Sequence, residues 1–244
     1  MSGTLYGIGV GPGDPELLTL KAFRLLKAAD VIAYPAPDNG ESFARSIVAG
    51  YLDDDKIEVP IIVPMRVERF PAKTVYDQAA KTIASYLDSG KDVVVLCEGD
   101  PFFFGSFMYL YERLAHDYPC ETVPGISSLM ASSAVLGRPL AARNDVLSVI
   151  PAPLEDEQIR TRLQVADAVG FIKVGRHLGR IKALIEEVGL LKQAAYLERV
   201  TLGNQKLMPL ADVRDAQAPY FSMILIYKGA EEWIAQLPIS GETL

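Results

Sequence analysis

The stretch Val93-Val94-Val95-Leu96-Cys97 carries no polar side chain, and it runs straight into Glu98-Gly99-Asp100-Pro101. Five apolar residues opening on a β-branched run are too few for a buried helix. They read as a strand covered on both faces. Strands of that kind belong to parallel sheets, whose crossover connections lay helices on each side. The first half of the chain obeys this constraint. Strand-type runs at 4–9, 30–34, 57–63 and 119–123 alternate with helical periodicity at 19–29, 41–51, 74–89, 106–117 and 127–136. Pro60 has no amide hydrogen to give to a ladder, which points to an edge position for the 57–63 strand.

Gly137-Arg138-Pro139 then punctuates the chain, and the alternation restarts. Strands are expected at 146–150, 168–174, 194–199 and 220–227, and helices at 155–165 and 178–192. Gly203-Asn204 marks a turn inside a hairpin or crossing loop. The expectation is two α/β domains, 1–137 and 138–244, with a mainly parallel first sheet and a mixed second one.

Composition narrows the function classes. Half the residues are hydrophobic and 23% are charged, as in folded globular proteins. No apolar run approaches the roughly 18 residues a membrane helix needs. Met1-Ser2-Gly3-Thr4 lacks the basic start of a signal peptide, so the cytoplasm is the expected compartment. A net charge of −7 disfavours a nucleic-acid surface. With two cysteines lacking ligand spacing and two histidines, a zinc site or a serine–histidine triad would have to be built almost without its usual ligands and bases.

Three loops at strand ends carry the chemistry. The first, Gly9-Val10-Gly11-Pro12-Gly13-Asp14-Pro15, begins like a dinucleotide fingerprint. Its third glycine position holds Asp14, however, and the second strand ends in Tyr34-Pro35 rather than an acid. A pyrophosphate would meet a carboxylate where it needs a helix N-terminus, so the NAD reading fails. The loop still allows close backbone approach, with Asp14 forming a turn before Pro15 and Thr19 capping the helix behind.

The second loop places Glu98 and Asp100 at the carboxyl end of a parallel strand, where α/β proteins bind ligands. Carboxylates there suit ribose hydroxyls or a cationic ligand; alternatively Asp100 caps backbone amides of a turn. In the third, Val123-Pro124-Gly125-Ile126-Ser127-Ser128, Ser127 either caps a helix or offers its hydroxyl to a ligand. Parallel strands deliver all three loops to one sheet edge.

These three segments in this order, with Phe171-Ile172-Lys173-Val174-Gly175 and Tyr220-Phe221-Ser222-Met223-Ile224-Leu225, resemble the tetrapyrrole (corrin/porphyrin) methylases along essentially the whole chain. The segments "CEGDPFFFGSFMYL", "RPLAARNDVLSVIPAP" and "YFSMILIYKG" are most similar to its precorrin-methylating members. Uroporphyrinogen III methylases carry Asp where Pro35 stands, and Gly-Gly-Asp where this chain has Glu98-Gly99-Asp100.

The resemblance implies S-adenosylmethionine as methyl donor, a small tetrapyrrole as acceptor, no membrane or nucleic-acid partner, and a homodimer. It implies a cofactor cleft between the two domains. Cofactor-binding positions carry over as Gly11, Pro12, Glu98, Gly99, Asp100, Phe103, Ser127 and Ser128, then Val174, Val200, Ser222 and Met223. Val200 stands where relatives often have glycine. Because such substrates bear many carboxylates, Arg66, Arg69 and Arg143 are candidate substrate-binding residues.

The family chemistry joins a sulfonium methyl to an electron-rich ring carbon, so placement and water exclusion dominate. No catalytic acid or base is assigned: Asp14 has a sufficient structural reason as the turn residue before Pro15, and nothing in the sequence supports Tyr34 or Tyr109 in that role. Two other readings stay open. One is a sister methylase acting on another ring carbon or on a cobalt-containing substrate. The other is a non-catalytic nucleotide-binding protein.

Overall fold

The computed structural model describes residues 1–64 and 70–239. Within them the chain forms two compact units, Met1–Ser127 and Ser128–Leu244. Each unit is a five-stranded sheet flanked by helices.

In the first unit the strands are β1 (Leu5–Gly9), β2 (Val31–Ala36), β3 (Ile57–Ile62), β4 (Val93–Cys97) and β5 (Cys120–Val123). They pair in the order β3-β2-β4-β1-β5, every pair parallel. β4 lies at the centre and all five of its residues are buried. That is why its sequence reads as an unbroken apolar run. β3 lies at the edge as Pro60 required, with Pro60 opposite Tyr34. Leu5, Val31, Ala33, Val93 and Val95 face the helices α3 (Phe70–Asp88) and α4 (Phe107–Leu114). On the other face Ile8, Ile32, Val94 and Leu96 pack with α1 (Leu20–Ala28) and α2 (Phe43–Val48).

The second unit opens on α5 (Ser128–Leu136) and holds β6 (Leu147–Pro151), β7 (Ala168–Ile172), β8 (Ala194–Glu198), β9 (Lys206–Pro209) and β10 (Ser222–Tyr227). Their order is β6-β7-β10-β8-β9, with β6 and β7 parallel and the remaining pairs antiparallel. The second sheet is therefore mixed. β8 and β9 form the hairpin signalled by Gly203-Asn204. Helices α6 (Asp156–Val165) and α7 (Leu178–Glu187) cover one face through Ile159, Leu163, Ile181 and Ile185. Leu129, Ala131 and Leu136 of α5 cover the other, against Leu197, Met223 and Leu225. A short α8 (Glu232–Gln236) closes the described chain.

One helix is shorter than its periodicity predicts. The 178–192 segment breaks after Glu187, because Gly189 adopts φ +75° and ends the helix in the left-handed conformation. Leu191–Gln193 then form a separate tight turn. Among the described residues no helix is long and apolar enough to cross a membrane.

Candidate functional site

The loops after β1, β4 and β5 meet because those strands are neighbours in a parallel sheet. The first two are joined backbone to backbone. The Gly11 amide donates to the Gly99 carbonyl at 3.3 Å, and the Gly99 amide donates to the Gly11 carbonyl at 2.8 Å. This reversed bridge sits at the end of a parallel pair, and both residues have positive φ, +83° and +63°. Glycine is the residue that adopts such angles without strain.

The third loop is held just as closely. A β-carbon on Gly125 would lie 2.0 Å from the Gly99 carbonyl oxygen, and one on Gly9 would lie 2.5 Å from the Gly125 α-carbon. Gly9, Gly99 and Gly125 thus touch through their backbones. In this trio the glycines serve loop-to-loop packing.

Asp100 ties the same loops together with its carboxylate. Its Oδ1 accepts the amides of Phe102 (2.9 Å) and Phe103 (3.0 Å), which forms the turn after β4. Its Oδ2 accepts the Gly125 amide at 3.0 Å. Both oxygens therefore take backbone donors, as the capping alternative anticipated. Asp14, in the other Gly-Asp-Pro, makes a local bond: its Oδ1 accepts the Glu16 amide at 2.8 Å, before the turn at Pro15–Leu17. Thr19 caps α1 by accepting from Ala22.

Glu98 is part-buried, and burial pushes its pKa above the usual carboxylate value, against the opposing pull of the nearby backbone of Glu98 and Ala44. The neighbouring Cys97 thiol is pushed well up by burial and by the charges of Glu98 and Asp100, which makes it an inert core thiol. Beyond the turn, Phe103 and Phe104 are exposed and meet edge to face at 5.1 Å. Phe104 holds φ +57°.

In the second unit, Val174 and Val200 are core side chains in separate clusters, and Met223 is buried with Val200. Any ligand contact from the two valines would come from backbone atoms. Val200 stands between two left-handed residues, Arg199 (φ +48°) and Thr201 (φ +69°). Ser222 is buried, its hydroxyl donating to the Pro219 carbonyl at 2.6 Å. Ser128 is the first residue of α5. Arg143 is exposed and pairs with Glu231 at 2.6 Å. Arg66 and Arg69 lie outside the described residues.

Two clusters escaped the sequence reading. Glu198 ends β8 as a buried carboxylate, accepting from the Tyr196 hydroxyl (2.8 Å) and lying near Arg199 (3.3 Å) and Lys206 (3.4 Å). The available signal was an acid closing an apolar run, "AAYLE", as in "VVVLCE". Glu58 on the edge strand takes a forked pair from Arg45 and the Tyr34 hydroxyl at 2.7 Å. Its partners lie far apart in sequence, so nothing local marked it. Among the described residues no group of three or more acids, histidines or cysteines is placed to hold a metal ion.

The sheet-edge loops 9–15, 98–105 and 123–128 contain Asp14, Glu98 and Asp100 and no Lys, Arg or His. The edge suits a cation and disfavours a phosphate chain. A family model described as Tetrapyrrole (Corrin/Porphyrin) Methylases matches residues 4–214.

The chain belongs to the tetrapyrrole methylase family.

Its similarity to a Sinorhizobium sp. protein named precorrin-2 C(20)-methyltransferase is 40% identity over 232 residues, covering 92% of this chain and 95% of that one. A Salmonella typhimurium cobalt-precorrin-2 C(20)-methyltransferase is 34% identical over 231 residues, covering 93% and 98%. The crystal structure of a Thermus thermophilus uroporphyrin-III C-methyltransferase, complexed with S-adenyl homocysteine, shares the fold. Its TM-score is 0.68 at 24% identity, covering 93% of this chain and 98% of that one.

Proposed function

We propose that this tetrapyrrole methylase transfers a methyl group from S-adenosylmethionine to carbon 20 of precorrin-2, giving precorrin-3A in cobalamin biosynthesis. The acceptor is inferred from the extent of similarity to the Sinorhizobium relative, which spans nearly both chains. The donor is inferred from the sheet edge itself. Three carboxylates without a basic residue match a ligand carrying a sulfonium and an ammonium, and they oppose ATP or NAD. That acid-only edge is the observation that carries the reading.

The residues present fit such a ligand. Backbone groups around Gly11 and Pro12 allow close approach, since a glycine there leaves the loop without a side chain. Asp100 fixes the loops, and its Oδ2, which accepts a single amide, keeps a lone pair for a ribose hydroxyl, whereas Oδ1 already takes two amides. Phe103 supplies an apolar surface beside them. Bound there, the sulfonium supplies an electrophilic methyl to an electron-rich ring carbon. The chain's own contribution is to hold, align and dehydrate, which is worth roughly 7–11 kcal/mol when two reactants are kept in line.

Arg143 would meet a substrate carboxylate by exchanging it for Glu231. The similarity to the Salmonella relative supports a second reading, in which the acceptor already holds cobalt. A cytoplasmic location and a homodimeric assembly complete the proposal, with the family resemblance as their support.

Titration calorimetry tests the donor, and assays with metal-free and cobalt-containing precorrin-2 test the acceptor. Binding of S-adenosylmethionine in preference to ATP and NAD supports the reading. Preference for either nucleotide overturns it.

A further inference from the structure

β10 pairs antiparallel with β7 on one side and with β8 on the other, so the carboxyl ends of β7 and β8 flank its start. Both flanking strands end in the same way. Each is followed by a basic residue in the left-handed conformation, Lys173 (φ +57°) and Arg199 (φ +48°), and then by a buried valine, Val174 and Val200. Residues other than glycine rarely take that conformation. At both strand ends the valine enters the core while the cation keeps contact with solvent, Lys173 exposed and Arg199 half-buried. Backbone strain of this kind gathers where turns meet ligands.

A buried acid holds the cations on the β8 side. Oε1 of Glu198 accepts the hydroxyl of the buried Tyr196 at 2.8 Å, and Oε2 lies 3.3 Å from Arg199 and 3.4 Å from Lys206. Lys206 stands opposite Glu198 in the register of β8 and β9. The pair with Glu198 engages one nitrogen of Arg199, and a guanidinium has further donors beyond it. Two cations on one carboxylate leave positive charge over for an anion.

An aromatic surface adjoins these charges. The Arg199 amide donates to the Phe221 carbonyl at 2.9 Å, which fixes the segment before β10 beside the turn. Tyr220 is 65% exposed and Phe221 37%, and their rings meet edge to face at 4.9 Å. Exposed rings next to an ammonium and a guanidinium suit a flat apolar ligand that carries carboxylates. The loops at the strand ends of the first sheet have the opposite character, with acids and no cation.

We propose that Lys173, Arg199 and Lys206, with Tyr220 and Phe221, form a site for the carboxylate-bearing ring of the methyl acceptor. This rests on the methyltransferase reading above and adds to it the residues that meet the acceptor's carboxylates.

Uroporphyrin, a stable ring with a carboxylate on each side chain, is the probe, and its binding is followed by fluorescence titration. Wild type is compared with Lys173→Glu, Arg199→Gln and Tyr220→Ser, and with Lys192→Glu as a control, an exposed cation in the turn after α7. Lys173→Glu and Arg199→Gln each weaken uroporphyrin binding by at least about ten-fold, and Tyr220→Ser by about three-fold. Lys192→Glu stays within about two-fold, as does the affinity of Lys173→Glu for S-adenosylmethionine. Lys173→Glu leaves the Glu198 cluster intact, so its result stands even if Arg199→Gln unfolds. An equal loss in Lys192→Glu would mean diffuse attraction and would overturn the inference. Weaker donor binding with unchanged uroporphyrin binding would also overturn it and assign the cations to the donor's carboxylate. Unaltered variants of a wild type that methylates precorrin-2 defeat this inference alone. A wild type that neither binds uroporphyrin nor methylates precorrin-2 defeats the functional reading with it.

Discussion

The amide of Gly125 donates to Oδ2 of Asp100 at 3.0 Å, across two loops that follow β5 and β4. With the Phe102 and Phe103 amides on Oδ1, this makes Asp100 the side-chain staple of the sheet edge. Replacing it by Ala leaves three amides without their acceptor. Each such loss costs about 1–3 kcal/mol where the donor becomes buried. Asp100→Ala should weaken S-adenosylmethionine binding by at least about ten-fold and lower the melting temperature, by calorimetry and thermal unfolding. Unchanged affinity would remove Asp100 from the site.

Asp14, in the matching tripeptide, caps a local turn on an exposed stretch. Asp14→Asn keeps an acceptor for the Glu16 amide and should change stability by less than about 1 kcal/mol. At saturating S-adenosylmethionine, kcat should stay within about three-fold of wild type, while the loss of one negative charge from the edge weakens donor binding. A collapse of kcat would show that Asp14 touches the reacting groups.

The loop glycines should divide by mechanism. Gly125→Ala puts a β-carbon 2.0 Å from the Gly99 carbonyl, which a rigid backbone cannot relieve. It should cost several-fold more than Gly11→Ala. There the new carbon meets its nearest atom at 3.5 Å and the penalty is that of φ +83°, about 1 kcal/mol. Denaturant unfolding of the two variants decides this, and equal losses would contradict the packing account.

Glu58 gives a pH prediction. Its hydrogen bonds with Arg45 hold its pKa below the ordinary value of 4.5, so the folded state binds the proton less readily than the unfolded one. The stabilisation is present above pH 4.5 and is lost as pH falls through the lower folded pKa. Glu58→Gln should therefore be less stable than wild type at neutral pH, with the gap closing in acid. Glu98 has the opposite sign. Burial raises its pKa, so its ionisation erodes stability as pH rises above 4.5, and Glu98→Gln should flatten that slope.

Much of the architecture was legible in the sequence. β4 announces itself because burial on both faces leaves no room for a polar residue, and Pro60 betrays an edge because it cannot donate. Gly189 hid the end of α7, since helical periodicity continues through the turn after it. The loop residues were found by type and place, but their roles were not. Gly9 and Gly125 suggest room for a ligand, whereas in the fold they fill each other's space. Asp100 suggests ligand contact, whereas in the fold its carboxylate takes backbone amides of its own turn and of the loop after β5. Such partners are set by strand order, which local patterns do not encode. The unit boundary is similar: Gly137 looks like punctuation, yet α5 before it packs on the second sheet.

The central claim is methyl transfer to carbon 20, and one measurement addresses it directly. The protein is incubated with precorrin-2 and S-adenosylmethionine carrying a carbon-13 methyl group, and the product is read by NMR. The account predicts a single new labelled methyl on the meso carbon at position 20. A label at another ring carbon, or no labelled tetrapyrrole from either the metal-free or the cobalt-containing substrate, would contradict it.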